Sequence, residues 1–120
     1  MSNNFLNTIS LVGRLGSDPE IKYFESGSVV SKLSLAVKRK KDKSKPDWFA
    51  LEIWGKLAEI AGEYSHKGSL IAVRGELKID EWTDKTSGQK RSRPYVTVNY
   101  LQLLGSKSNL SDNPEDLSAF

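Results

Sequence analysis

The stretch DWFALEIWGKLAEIAGEYSHKGSLIAVRGELKID, residues 47–80, changes its hydrophobic period twice, and those changes decide the fold. In residues 47–54, Phe49, Leu51 and Ile53 alternate with Trp48, Ala50, Glu52 and Trp54, as in a strand whose successive side chains face opposite sides. From Gly55 the spacing is helical. Leu57, Ile60, Ala61 and Tyr64 follow i, i+3, i+4, i+7 and form one stripe, with His66 in the last turn and Lys67-Gly68 as a helix end. Residues 69–80 return to period two, which predicts Ile71, Val73, Leu77 and Ile79 inward and Arg74, Glu76, Lys78 and Asp80 outward.

The flanking segments extend the pattern. In NTISLVGRL, residues 7–15, Ile9, Leu11 and Leu15 alternate with Thr8, Ser10 and Arg14, and GSDPE then ends the strand. After the turn signal ESGS, the run VVSKLSLAVKRK sets Leu33, Leu35 and Val37 against Lys32, Ser34, Ala36, Lys38 and Lys40, and leads into a basic loop at 39–47. Downstream, about residues 80–94 read as a second long loop and YVTVNYLQLLG as a last strand. The order is three strands, a helix and two strands. It predicts an all-β fold with one helix: an OB-fold, a five-stranded Greek-key barrel with the helix between strands 3 and 4. Residues 1–105 make this domain, and 106–120, dominated by Ser, Asn, Asp and Pro, read as a short mobile tail.

Composition bounds the function. The 120 residues suffice for one domain with a modest core. There is no cysteine, hence no disulfide and no thiolate metal site, which fits a reducing compartment. No apolar run approaches the roughly 20 residues of a membrane helix, and MSNNFLNTIS lacks the layout of a signal peptide, so a cytoplasmic location is expected. The net charge of +3 hides an asymmetry: Lys107 stands against Asp112, Glu115 and Asp116 in the tail, which leaves residues 1–105 at +5. A basic body suits a polyanionic partner.

Catalysis finds no constellation. His66 is the only histidine, and no second histidine or cysteine could join it around a metal. Asp18, Glu20, Glu52 and Asp80 are scattered, whereas a two-metal nuclease needs convergent carboxylates. Gly13 to Gly16 lacks the Gly-Lys-Ser/Thr ending of a phosphate loop. The reading is a binding protein with no cofactor and no metal, not an enzyme.

The tryptophans say what is bound. If Phe49, Leu51 and Ile53 fill the core, Trp48 and Trp54 both face the other way, roughly 20 Å apart at about 3.4 Å per residue, with small Ala50 between them. Continuing the inward set Leu77 and Ile79 puts Trp82 outward too. Three indoles on basic faces suit a ligand with flat rings and negative charge, as single-stranded nucleic acid is. Lys38, Lys40, Lys41 and Lys43 of the first loop, Lys56, Arg74 and Lys78, and Lys85, Lys90, Arg91 and Arg93 around the second loop would meet phosphates. Two other readings stay open at this stage: tryptophans that anchor a protein interface, and RNA in place of DNA.

The segments LVGRLGSDPEIKYFESGSVV, WGKLAEIAGEYSHKGSLIAVRGEL and EWTD together resemble the bacterial single-stranded DNA-binding protein family, and DPEIKYFESGSVV with PDWFALEIWGK looks closest to its cyanobacterial or plastid branch. The resemblance covers about residues 5–105. It implies an OB-fold, sequence-independent binding and protection of single-stranded DNA in replication, recombination and repair, a nucleoid-associated location, and a homotetramer. The family's base-stacking aromatics fall on Trp48, Trp54 and Trp82. Lys40 or Lys41 stands where well-studied members carry a further aromatic, so the first loop would act by charge. Many members end in a glycine-rich linker and an acidic tip finishing in Pro-Phe that docks partner enzymes. Here the tail is about fifteen residues, and Asp112, Glu115, Asp116 and Phe120 keep only the acidic-then-aromatic character for replication and repair partners.

Overall fold

A computed structural model describes residues 6–104. The chain forms β1 (Ile9–Leu15), β2 (Glu20–Tyr23), β3 (Val29–Val37), β4 (Asp47–Trp54), α1 (Lys56–Tyr64), β5 (Leu70–Thr83) and β6 (Lys90–Leu103). The strands lie in the order β1-β5-β6-β4-β3-β2, and β1 also pairs with β3, which closes the sheet on itself. All pairings are antiparallel except that of β4 with β6. Apart from β2, this is the expected arrangement of five strands with a helix between the third and fourth.

Alternation fills the ring. Leu33 and Leu35 of β3, Leu51 and Ile53 of β4, Ile71 and Val73 of β5, and Val96 and Val98 of β6 form one buried cluster with Leu15 of β1. Because these are every second residue, the intervening side chains of the same strands must face outward. The switch from β4 to α1 takes one residue: Gly55, at φ 72°, adopts a backbone that a side chain would strain, and its N–H donates to the carbonyl of Val29 at 2.9 Å.

Five expectations are corrected. The four-residue β2 was not anticipated. It is short and wholly exposed, and only its pairing with β3 makes it a strand. The buried helical stripe runs through Ala58 and Ala61, with Leu57 and Ile60 partly buried and Tyr64 exposed; two small residues bring the helix close to the sheet. His66 lies beyond the helix, whose last residue is Tyr64 and whose C-cap is Ser65, so it completes no helix terminus. Leu77 and Ile79 are 43% and 55% exposed rather than inward. They belong to the outer parts of β5 and β6: Leu77 stands opposite Val96 at the last rung shared with β4, and from Lys78↔Tyr95 to Thr83↔Lys90 the two strands continue as an arm beyond the ring. The expected loop at about 80–94 is therefore mostly strand, with its turn at 84–89.

Candidate nucleic-acid interface

The outer face of β2, β3 and β4 is assembled in rows by register. Lys22, Val30 and Trp54 form one row; Glu20, Lys32 and Glu52 the next; then Ser34 with Ala50, and Ala36 with Trp48. Two indoles thus stand at the ends of one strand with Ala50 and Glu52 between them. Trp48 is 58% exposed and Trp54 46%. Between the rows lies a shallow groove of about 210 Å³ whose walls include Lys32, Ser34, Ala50, Glu52, Arg93 and Tyr95. Arg93 and Tyr95 reach it from the base of the arm on β6, so the arm and the tryptophan face share one concavity.

Each indole is held differently. Trp54 donates its Nε1–H to Glu52 Oε1 at 3.0 Å and stacks on Phe24, with ring centroids 5.9 Å apart and planes 17° from parallel. Trp48 lies against Gly16, where the absence of a side chain leaves room for its six-membered ring. Trp82 is 45% exposed on the arm, in register with Arg91 and on the same face as Lys78 and Arg93. Its outward position was argued from an inward Leu77 and Ile79, which the structure does not bear out; it is exposed because both faces of the arm are.

The cations divide by place. Arg93 and Lys32 line the groove on the tryptophan face, here called the tryptophan groove although the indoles stand outside its walls. Lys90 and Arg91 line a second groove beside Trp82, and Lys85 is exposed in the arm's turn. Arg91 pairs with Asp84 at 3.2 Å and Lys78 with Glu76 at 3.2 Å, both as exposed ion pairs of small energy that a phosphate can displace. In the first loop Lys40, Lys41 and Lys43 are exposed, and so is Lys38, which lines a groove with Pro46 and Arg14. Lys56 is exposed at the start of α1. Arg74 stands apart: its guanidinium lies 5.3 Å from the ring centre of Tyr100, in a groove with Asn7 and Asn99 that shares no residue with the tryptophan groove. The tail residues Asp112, Glu115, Asp116 and Phe120 lie outside the described residues.

Two carboxylates organise the loops. Asp42 accepts the hydroxyl and the backbone N–H of Ser44, and these bonds hold its carboxyl below the usual aspartate value. Asp84 accepts the N–H of Thr86 at 2.9 Å and the Nε–H of Arg91, and its carboxyl is likewise lowered, chiefly by the Thr86 bond. Both turns are thereby fixed by their own acids.

Sequence reasoning missed Phe24, Lys22 and Lys32. Lys32 was placed outward but not assigned to the site. Phe24 and Lys22 reach the face only through β2, and the one available signal was the spacing of Lys22, Phe24 and the ESGS turn. Among the described residues, no three histidine, cysteine or acidic side chains gather where a metal could sit, and no helix is long and apolar enough to cross a membrane.

The profile of the Single-strand binding protein family matches residues 6–104. A Nostoc sp. protein named single-stranded DNA-binding protein 1 is 53% identical over 113 residues, covering 94% of this chain and 95% of its own. A Synechocystis sp. protein of the same name is 59% identical, covering 92% and 90%, and a Thermosynechococcus vestitus single-stranded DNA-binding protein is 49% identical, covering 90% of each.

Proposed function

The chain belongs to the single-strand binding protein family, and from that premise we propose that it binds single-stranded DNA without sequence preference, protecting it in replication, recombination and repair and catalysing no reaction. The observation that carries this reading is the pair Trp48 and Trp54, half-exposed at the two ends of β4 on the face opposite the core. Bases stack on such rings for roughly 1–3 kcal/mol each, whatever their identity, because every base has a π face. Arg93, Lys32 and the cations of both loops are the phosphate contacts, and each neutralised phosphate releases counterions.

We also propose a homotetramer and a nucleoid-associated location. The resemblance supports both, and the exposed Leu77 and Ile79 give the first an apolar surface to bury. Partner recruitment through Asp112, Glu115, Asp116 and Phe120 is a further part of the proposal, supported by the tail's acidic-then-aromatic character.

One titration tests the core of it. Intrinsic tryptophan fluorescence should be strongly quenched by oligo(dT), the signal should return on adding salt, and duplex DNA of equal length should leave it unchanged. Absence of quenching at low salt would reject the nucleic-acid reading in favour of a protein-binding face, and equal response to oligo(rU) would remove the restriction to DNA.

A further inference from the structure

The Trp54 side chain is embedded in a set of contacts that a freely exposed stacking residue does not need. Its indole N–H is tied to Glu52, and its ring lies near parallel to that of Phe24, offset to a 5.9 Å centroid distance. Lys22 sets its ammonium 5.5 Å from the centre of the Phe24 ring. Beneath them Val30, in register with both Lys22 and Trp54, is buried although it belongs to the outer face. Phe24 itself is fixed by the backbone: its N–H donates to the carbonyl of Ser28 at 2.9 Å, and its carbonyl accepts the N–H of Gly27 at 2.9 Å. The phenyl ring thus stands at the root of a closed turn.

We infer that Phe24 is a positioning residue for Trp54, which holds the indole in place for a base. This deepens the proposed function and rests on it. A side chain ordered before the ligand arrives loses less rotamer freedom on binding, so part of the affinity at Trp54 comes from Phe24 without contact to DNA. Trp48 is seated instead on Gly16 and receives nothing from Phe24.

The test reads Trp54 alone. In a chain carrying Trp48→Phe and Trp82→Phe, Phe24→Leu keeps an apolar side chain and removes the ring. Without DNA, the remaining indole should depolarise faster on the nanosecond scale and become more accessible to acrylamide. In the otherwise native chain, Phe24→Leu should weaken oligo(dT) binding by about 2- to 12-fold, the range for an aromatic pair. In a Trp54→Ala background the same substitution should have little effect, since nothing remains to be positioned. Unchanged Trp54 anisotropy overturns the inference, and so does an equal loss of affinity in the Trp54→Ala background. Because the anisotropy needs no ligand, altered indole motion with no oligonucleotide binding in the native chain would reject the proposed function while leaving the positioning intact.

Discussion

The ring of Trp48 fills the space that a side chain at Gly16 would occupy: a Cβ there would lie 2.5 Å from Cζ3 and 2.8 Å from Cη2 of the indole. Gly16 belongs to the segment after β1, and its N–H donates to the carbonyl of Ser34 at 2.8 Å, so the seat is fixed to β3 rather than free to retreat. Gly16→Ala is therefore expected to push the indole aside without unfolding the protein. Its cost to oligo(dT) affinity should be a fraction of the roughly 1–3 kcal/mol of one stacked base. Adding it to Trp48→Ala should change nothing further, a double-mutant comparison readable by fluorescence titration.

Trp54→Ala should weaken binding by about 1–3 kcal/mol, with Trp54→Phe intermediate. The unfolding midpoint in urea should barely move, because the half-exposed ring contributes little to the interior. A variant that lost its fold would show the indole to be structural after all.

Two buried residues on opposite terms provide the stability test. Leu51 is enclosed in the core, and Leu51→Ala should cost about 2–5 kcal/mol through lost transfer energy and the cavity left behind. Ser31 is equally buried, yet its hydroxyl has no hydrogen-bond partner among the described residues. Ser31→Ala removes a desolvated polar group, so chemical denaturation should find it neutral or stabilising by up to about 1 kcal/mol.

Much of this architecture was legible from period alone. Phe49, Leu51 and Ile53 sit where alternation puts them, and so do Trp48 and Trp54, because a strand with one buried face has no other register. Where the period failed, tertiary context had changed the rule. Leu77 and Ile79 keep the alternation of a buried strand, but from the last rung of the ring, where Leu77 stands opposite Val96, there is no second layer to bury them. The helical stripe slid from Tyr64 toward Ala58 because close approach to the sheet favours small side chains, which hydrophobicity does not rank highly. Phe24 was illegible for a third reason. Its partner Trp54 is thirty residues away, and only the register of β2 on β3 and β3 on β4 brings the two rings together.

Acid should loosen the arm before the ring. Asp84 binds the Thr86 N–H and the Arg91 side chain across the turn, and its folded-state pKa is below the ordinary 3.8. A depressed carboxylate stabilises the folded arm above its unfolded pKa, and that contribution is lost as pH falls through the folded value. Amide signals of residues 84–89 should therefore be insensitive to pH between about 5 and 8 and should broaden or shift only below about pH 4. Asp84→Asn should produce the same loosening at neutral pH, seen as faster hydrogen exchange of the Thr86 amide.

Arg93 is the cation whose role the groove defines best, since it shares one concavity with Ala50, Glu52 and Tyr95 between the two indoles of β4. If it neutralises a phosphate, Arg93→Gln should lower the slope of log affinity against log salt by about 0.7, the value for one contact to a single strand. Lys32→Gln, on the facing wall, should act in the same way. Arg39→Gln should do less, because Arg39 lies outside that groove, beside Asp47 at the mouth of the first loop. Titrations with oligo(dT) at four or more salt concentrations measure the slope directly. An affinity for Arg93→Gln that falls equally at every salt concentration would assign the residue to contact with a base edge or support of Tyr95, since only a phosphate contact changes the number of ions released.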